Sequence, residues 1–96
     1  MRLRNGDRVW LKPEVTSDML LSDGYGKEAE HMHGMLLRGE CVVSGKQYGG
    51  GRVFVNVEAP TMLFSHGTGP YPVRREYIET DPFAIAIRRY EREKMA

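Results

Sequence analysis

The sequence predicts a mainly β domain: a small closed barrel of about five short antiparallel strands, followed by a C-terminal amphipathic helix. Short segments that alternate polar and apolar residues recur between turns rich in Gly and Pro, and we expect no helix to supply the core of the barrel. The prediction includes a long loop excursion after the first strand, over residues 13–37. We therefore expect a barrel over residues 1–79 and a helix over residues 80–96 that packs on the barrel or extends from it.

The first predicted strand runs from Asp7 to Lys12. Alternation puts Val9 and Leu11 on one face and Trp10 on the other. Pro13 lacks a backbone donor, so the strand ends before it. The first strand thus has one apolar face and one face that carries an aromatic side chain.

The excursion over residues 13–37 is the least strand-like part of the chain. It contains one candidate helical turn that begins near Thr16 and ends at Asp23-Gly24, and a second from Lys27 to about Gly34. Long excursions with little regular structure are uncommon in compact domains, and they tend to be functional. This segment is therefore the first place where activity is expected.

A hairpin is predicted from residues 39–45 and 52–58. In its second strand Val53, Val55 and Val57 alternate with polar residues and Phe54, which predicts that the three valines point inward. Further strands are predicted at residues 61–66 and 71–74, with a 3₁₀ turn at residues 76–78. The expected interior is built from Val9, Leu11, Val43, Val53, Val55, Val57 and Val73.

The C-terminal helix has a clear start signal. Thr80 or Asp81 precedes Pro82, and proline at the first helical position loses no helical hydrogen bond. Phe83, Ile87 and Tyr90 then share one stripe. We expect this helix to be amphipathic, and Phe83 and Ile87 to be the side chains through which it covers an outward face of the barrel.

Two stretches of the sequence resemble those of a known family. They are Gly6-Asp7-Arg8-Val9 near the start and the later Pro72-Val73-Arg74-Arg75-Glu76-Tyr77-Ile78-Glu79. Together, over residues 3–79, they resemble the SH3-like barrel superfamily, whose small stand-alone bacterial and phage members often begin with a Gly-Asp-x-Val strand. The resemblance implies a barrel and no catalytic residue. SH3 domains proper bind proline-rich peptides, but the paired aromatic residues of that groove are missing here, so this activity is not expected.

The overall composition of the chain disfavours several classes of function. The 96 residues carry a formal net charge of +1, so no global field attracts nucleic acid or an anionic membrane. The single cysteine, Cys41, cannot form an internal disulfide, which predicts a reducing, cytoplasmic location. The chain shows neither a signal peptide nor an apolar run of the ~20 residues that a membrane span needs. An amphipathic helix beside a small core leaves homo-oligomerisation open.

Two sets of candidate site residues follow. A protein-binding surface is predicted from acidic and aromatic residues: Trp10, Asp18, Asp23, Tyr25, Tyr48, Phe54 and Tyr71. The outward aromatics Trp10 and Phe54 have a second interpretation, in which the C-terminal helix simply covers them. The alternative nucleic-acid surface comprises arginines from both ends of the chain: Arg2, Arg4, Arg8, Arg74, Arg75, Arg88, Arg89 and Arg92.

Metal binding and catalysis have little support in the sequence. Four residues have side chains that zinc commonly binds: His31, His33, Cys41 and His66. Their spacing matches no compact zinc finger. We predict no metal site and no cofactor, although whether His31 and His33 bind a metal is left open. Cys41 is expected inside a strand, and no nucleophile–base grouping has a recognisable motif. We therefore predict that the protein is not an enzyme.

The leading hypothesis is a non-catalytic protein-interaction module that regulates or inhibits a larger bacterial or phage assembly. The sequence does not identify the protein partner. A nucleic-acid-associated protein is the alternative, and a small-molecule sensor with a pocket between barrel and excursion is a third. These classes differ in salt dependence, because phosphate binding weakens steeply as salt rises.

Overall fold

The computed structural model describes residues 3–44, 51–58 and 69–95. Its elements, in chain order, are β1 (Arg8–Val9), α1 (Ser17–Leu20), a π-helical turn (Leu21–Tyr25), a 3₁₀ turn (Gly26–Glu28), α2 (Ala29–Leu37), β2 (Cys41–Val43), β3 (Arg52–Val57), β4 (Tyr71–Arg74), a second 3₁₀ turn (Arg75–Tyr77) and α3 (Pro82–Met95). The strand predicted at residues 61–66 lies outside the described residues.

The four strands form one antiparallel sheet in the order β1-β2-β3-β4. Val43 lies opposite Val55 in the β2–β3 pair, and Val53 lies opposite Val73 in the β3–β4 pair. The predicted hairpin is therefore confirmed. Along β3 every second residue is buried, which also confirms the inward valines.

The end of the first strand contacts the chain that follows the second 3₁₀ turn. Leu11 forms an isolated bridge with Ile78, and the Lys12 amide donates to the Tyr77 carbonyl at 2.8 Å. The Glu79 amide donates to the Trp10 carbonyl at 2.8 Å. The predicted 3₁₀ turn is present one residue earlier than expected, and these bonds attach its far end to the first strand.

The predicted fold class is wrong. Of the described residues 49% are helical and 22% lie in strands, and the sheet is an open, four-stranded one rather than a mainly β barrel. The main error is the excursion: a helical segment runs from Ser17 to Leu37, with a kink at Gly24, where φ is 98°. Leu20, Met32 and Leu36 are fully buried, so burial of these side chains stabilises the helical path.

The helical segment also contacts the edge strand β4. The Tyr25 hydroxyl donates to the Pro72 carbonyl of β4, and the Arg74 Nε donates to Asp23 Oδ1 at 2.7 Å. An uncovered edge strand would present unpaired backbone groups. Tyr25 satisfies one such group, the Pro72 carbonyl, and the region predicted as an active loop belongs to the folded body.

All seven residues of the predicted interior are buried in one cluster. The helices add further side chains to it, among them Leu20, Met32, Met35 and Leu36, and Ile78 adds one from the end of the second 3₁₀ turn. We call the described residues up to Glu79 the body. Over the described ranges, no helix has the combination of length and apolarity that would let it cross a bilayer.

Candidate interaction surface

The C-terminal helix α3 begins where its sequence signal predicts. The Phe83 amide donates to Asp81 Oδ1 at 3.0 Å, and the Ile85 amide donates to the Asp81 carbonyl at 3.0 Å. Asp81 thus satisfies a backbone donor at the positive end of the helix, and Pro82 occupies the first helical position. The predicted helix and its start are confirmed.

The side of α3 that faces the body is mostly polar. Ile85 is its one buried side chain among the described residues of the helix. Arg88 Nη2 donates to the Leu11 carbonyl at 3.0 Å, and Arg92 Nη1 donates to the Arg38 carbonyl at 3.2 Å. Long guanidinium side chains therefore attach the helix to the backbone of the body.

A carboxylate completes this attachment. Glu58 accepts from Arg8 Nη2 at 2.8 Å and from Arg92 Nη2 at 2.9 Å, which joins β1 to α3. The hydrogen bond from Arg8 is the main cause that holds the pKa of Glu58 below its usual value, and the bond to Glu58 raises the pKa of Arg8. We call Arg8, Glu58 and Arg92 the clamp.

The opposite side of α3 is apolar and exposed. Phe83, Ile87 and Tyr90 follow one another at spacings of four and three residues, which places them on one stripe. Their exposed fractions are 75%, 47% and 65%. The prediction that Phe83 and Ile87 pack on the sheet is wrong, because Ile85, Arg88 and Arg92 lie on the other side of the helix. We call the exposed stripe the outer face.

Trp10 lies beneath α3. Trp10 is only 2% exposed, so the expectation of an exposed aromatic is wrong, and the residues of α3 that lie beside it include Arg88 and Arg92 rather than the expected Phe83 and Ile87. A cavity of about 440 Å³ borders Trp10, Leu37, Arg92 and Met95. Gly39 packs on the indole so closely that a Cβ there would lie 2.6 Å from Trp10 Cε2.

Two residues predicted for partner binding meet at β4, where they make internal contacts. The side chain of Asp23 is only 5% exposed and is paired with Arg74. Tyr25 is bound to Pro72, and desolvation is the main cause that raises the pKa of its hydroxyl. These two side chains therefore hold the helical segment on the edge strand.

The other predicted partner-binding residues are spread over the fold. Tyr71 is buried in the core cluster, and desolvation raises its pKa. Phe54 is half-buried and lies opposite Pro72 in the sheet, and Asp18 is exposed in α1. Tyr48 lies outside the described residues. The predicted set does not form one continuous surface over the part of the chain that the structure describes.

Half of the eight candidate arginines already have internal partners. Arg8 and Arg92 hold Glu58, Arg74 holds Asp23, and Arg88 holds the Leu11 carbonyl. Arg4, Arg75 and Arg89 are exposed, and Arg2 lies outside the described residues. A nucleic acid would compete with these contacts for the four engaged guanidinium groups.

The residues considered as metal ligands or as a nucleophile have structural roles instead. His33 Nε2 lies 2.8 Å from the Val15 carbonyl and ties α2 to the chain ahead of α1. Within residues 3–44, 51–58 and 69–95, no three His, Cys, Asp or Glu side chains group as metal ligands would. Cys41 is buried as expected, and desolvation raises its pKa to about 12. Its thiol is therefore protonated near neutral pH.

Comparison with protein-family models, with curated proteins and with solved structures finds no match to this chain. The outer face was not among the predicted site residues, although its stripe was recognised. The signal that could have identified it is the second stripe of α3, where Ile85, Arg88 and Arg92 recur at spacings of three and four.

Proposed function

We propose that this protein is a non-catalytic interaction module that binds a protein partner through the outer face of α3. One observation carries the proposal: the helix is attached to the body by its charged side, and its apolar stripe faces solvent. Large exposed apolar patches on small proteins commonly mark sites of protein–protein contact. The partner would cover Phe83, Ile87 and Tyr90.

Two aromatic residues in the stripe suit this role. Aromatic side chains bury large areas and lose little conformational entropy on binding, so they are frequent among the residues that dominate binding energy. The attachment through Ile85, Arg88 and Arg92 holds the helix in place, which reduces the entropy lost when a partner binds. Regulation or inhibition of a larger bacterial or phage assembly is the role we propose for such a module.

The absence of catalysis is part of the same proposal. Protonation of the buried Cys41 thiol removes a candidate nucleophile, and the contact of His33 with the Val15 carbonyl occupies a candidate base. The likeness to SH3-like proteins stays a proposal of kinship, and the functional proposal does not depend on it.

Affinity capture followed by direct binding tests the proposal. The tagged protein is used to isolate partners from bacterial or phage-infected extract, and each candidate is purified. Its affinity is then measured for the wild type and for the triple variant Phe83→Ser, Ile87→Ser, Tyr90→Ser. We expect the triple variant to bind at least about a hundredfold more weakly, since three apolar contacts are lost.

Leu21→Ser is the matched control, because Leu21 is a large exposed apolar residue in the π-helical turn, outside α3. It should bind like the wild type. Circular dichroism confirms that each variant remains folded. A folded triple variant that keeps wild-type affinity for every captured partner would contradict the proposal.

A further inference from the structure

We infer that the cavity between α3 and the body binds a small organic anion, a carboxylate with an apolar body about 10 Å long. The cavity has a volume of about 440 Å³, which is within the range of small-molecule sites in proteins. It lies on the body side of α3, away from the outer face, so the inference does not rest on the proposed function. We call it the α3 cavity.

The apolar part of the α3 cavity comes from two helices. Leu37 is the last residue of α2 and Met95 is the last residue of α3, and both line the cavity together with Trp10. Leu37 is 37% exposed and Met95 is 87% exposed. Covering such side chains removes apolar surface from water, and methionine adapts to the shape of what it contacts. An apolar ligand would therefore be stabilised by contacts with both α3 and the body.

The charged residues of the α3 cavity favour an anion. Its lining includes three arginines and two glutamates: Arg38, Arg88, Arg92, Glu40 and Glu91. Arg38 is paired with Glu40 and Arg92 with Glu58, each at 2.9 Å. Among the described residues, the ion pairs within 4.0 Å do not include Arg88. The half-buried Arg88 is therefore the guanidinium group in the lining whose charge a ligand could match.

Arg88 is already positioned by the body. Its Nη2 donates to the Leu11 carbonyl at 3.0 Å, and this acceptor has no formal charge. A guanidinium group has five N–H donors, so Arg88 can keep this bond and still bind a carboxylate. Met95 follows seven residues later, which places it on the same side of α3 and about 10 Å further along. The ligand would thus place its carboxylate at Arg88 and its apolar body toward Met95 and Leu37.

Titration with three small molecules tests the inference. Octanoate has an apolar chain and one negative charge, octylammonium has the same chain with a positive charge, and acetate has the negative charge without the chain. Binding is followed at constant ionic strength through the amide chemical shifts of the isotope-labelled protein. We expect octanoate to bind with a dissociation constant of about 0.1–1 mM, and the other two to bind at least about tenfold more weakly. The shifts should be largest around Leu37, Arg88 and Met95.

Two pairs of variants test the position of the ligand. Arg88→Gln should weaken octanoate binding about tenfold, because the ion pair is lost. Arg75→Gln is its matched control, since Arg75 is an exposed arginine of the second 3₁₀ turn, and it should bind like the wild type. Leu37→Ser, which leaves the attachment of α3 intact, should weaken binding about fivefold through lost apolar contact. Its control, Leu21→Ser, should bind like the wild type.

The results that would overturn the inference differ from those that bear on the proposed function. A folded wild type that shows no saturation with octanoate up to about 10 mM overturns the inference. So does equal affinity for octylammonium, or unchanged octanoate affinity in either folded variant, Arg88→Gln or Leu37→Ser. Bound octanoate contacts both α3 and the body, so it should also slow hydrogen exchange in α3. None of these measurements involves the outer face, and the proposed function stands whatever they give.

Discussion

The body and the helix α3 are held in place by different forces. The body shares one apolar cluster in which Leu11, Leu36 and Ile78 are fully buried. Helix α3 adds a single buried side chain, Ile85, and otherwise depends on guanidinium groups. The body should therefore unfold as one cooperative unit, whereas α3 should be sensitive to salt and pH. The contrast also explains how an amphipathic helix can leave its apolar side exposed.

The largest effect is expected from two adjacent leucines of α2. Leu36 is 0% exposed and Leu37 is 37% exposed. Leu36→Ala should lower the free energy of unfolding by about 2–5 kcal/mol, because it leaves a cavity in the packed body. Leu37→Ala is the matched control, and it should cost less than about 1 kcal/mol. Urea unfolding measures both, and similar losses would show that the body has no tightly packed core.

A smaller but substantial effect is expected at Gly39, where the body meets α3. Gly39 has a φ of 71°, and a Cβ there would meet the indole of Trp10. Gly39→Ala should therefore destabilise the protein by about 2–3 kcal/mol, through backbone strain and displacement of the indole. Trp10 fluorescence should report the displacement.

Gly24→Ala separates the two contributions at Gly39. Gly24 also has a positive φ, of 98°, but a Cβ there would have open space around it. This control should cost only about 1 kcal/mol and leave the emission of Trp10 unchanged. Equal losses at both glycines would mean that the contact with Trp10 contributes nothing to the stability of the body.

The smallest effect is expected from the clamp. Glu58→Gln should weaken the attachment of α3 by at most about 1 kcal/mol, because the carboxylate is partly exposed and its ion pairs are screened. Hydrogen exchange should show faster opening of α3 with little change in the body. Glu76→Gln, at the exposed Glu76–Arg74 pair outside the clamp, is the control and should leave α3 unchanged. Uniformly faster exchange throughout the protein would contradict the prediction that α3 opens independently of the body.

The pH dependence provides a second measurement of the clamp. The folded pKa of Glu58 lies below its ordinary value of 4.5. The stabilisation from the clamp is therefore fully present above that value, and it is lost as the pH falls through the lower folded pKa. Exchange in α3 should accelerate in this acidic range for the wild type. In the Glu58→Gln variant the acceleration should be smaller, because the titrating group is absent.

Local patterns in the sequence predicted the elements whose structure depends on near neighbours. Alternation at Val53, Val55 and Val57 assigned the two faces of β3, because successive side chains of a strand point to opposite sides. Asp81 and Pro82 marked the start of α3, since capping and proline geometry act within one helical turn. The same reasoning placed short helical turns near Thr16 and from Lys27 onward.

The continuity of the helical segment and the orientation of α3 required the tertiary structure. Glycines at positions 24 and 26 indicate a break, yet contacts of Tyr25 with β4 and burial of Met32 and Leu36 keep residues 17–37 on the sheet. Helix α3 has two usable sides, and its own periodicity favours the apolar one. Contacts with Glu58 and with the carbonyls of Leu11 and Arg38 instead turn the arginine side of α3 toward the body. These three partners come from distant parts of the chain, and they meet the arginines only once the body has folded.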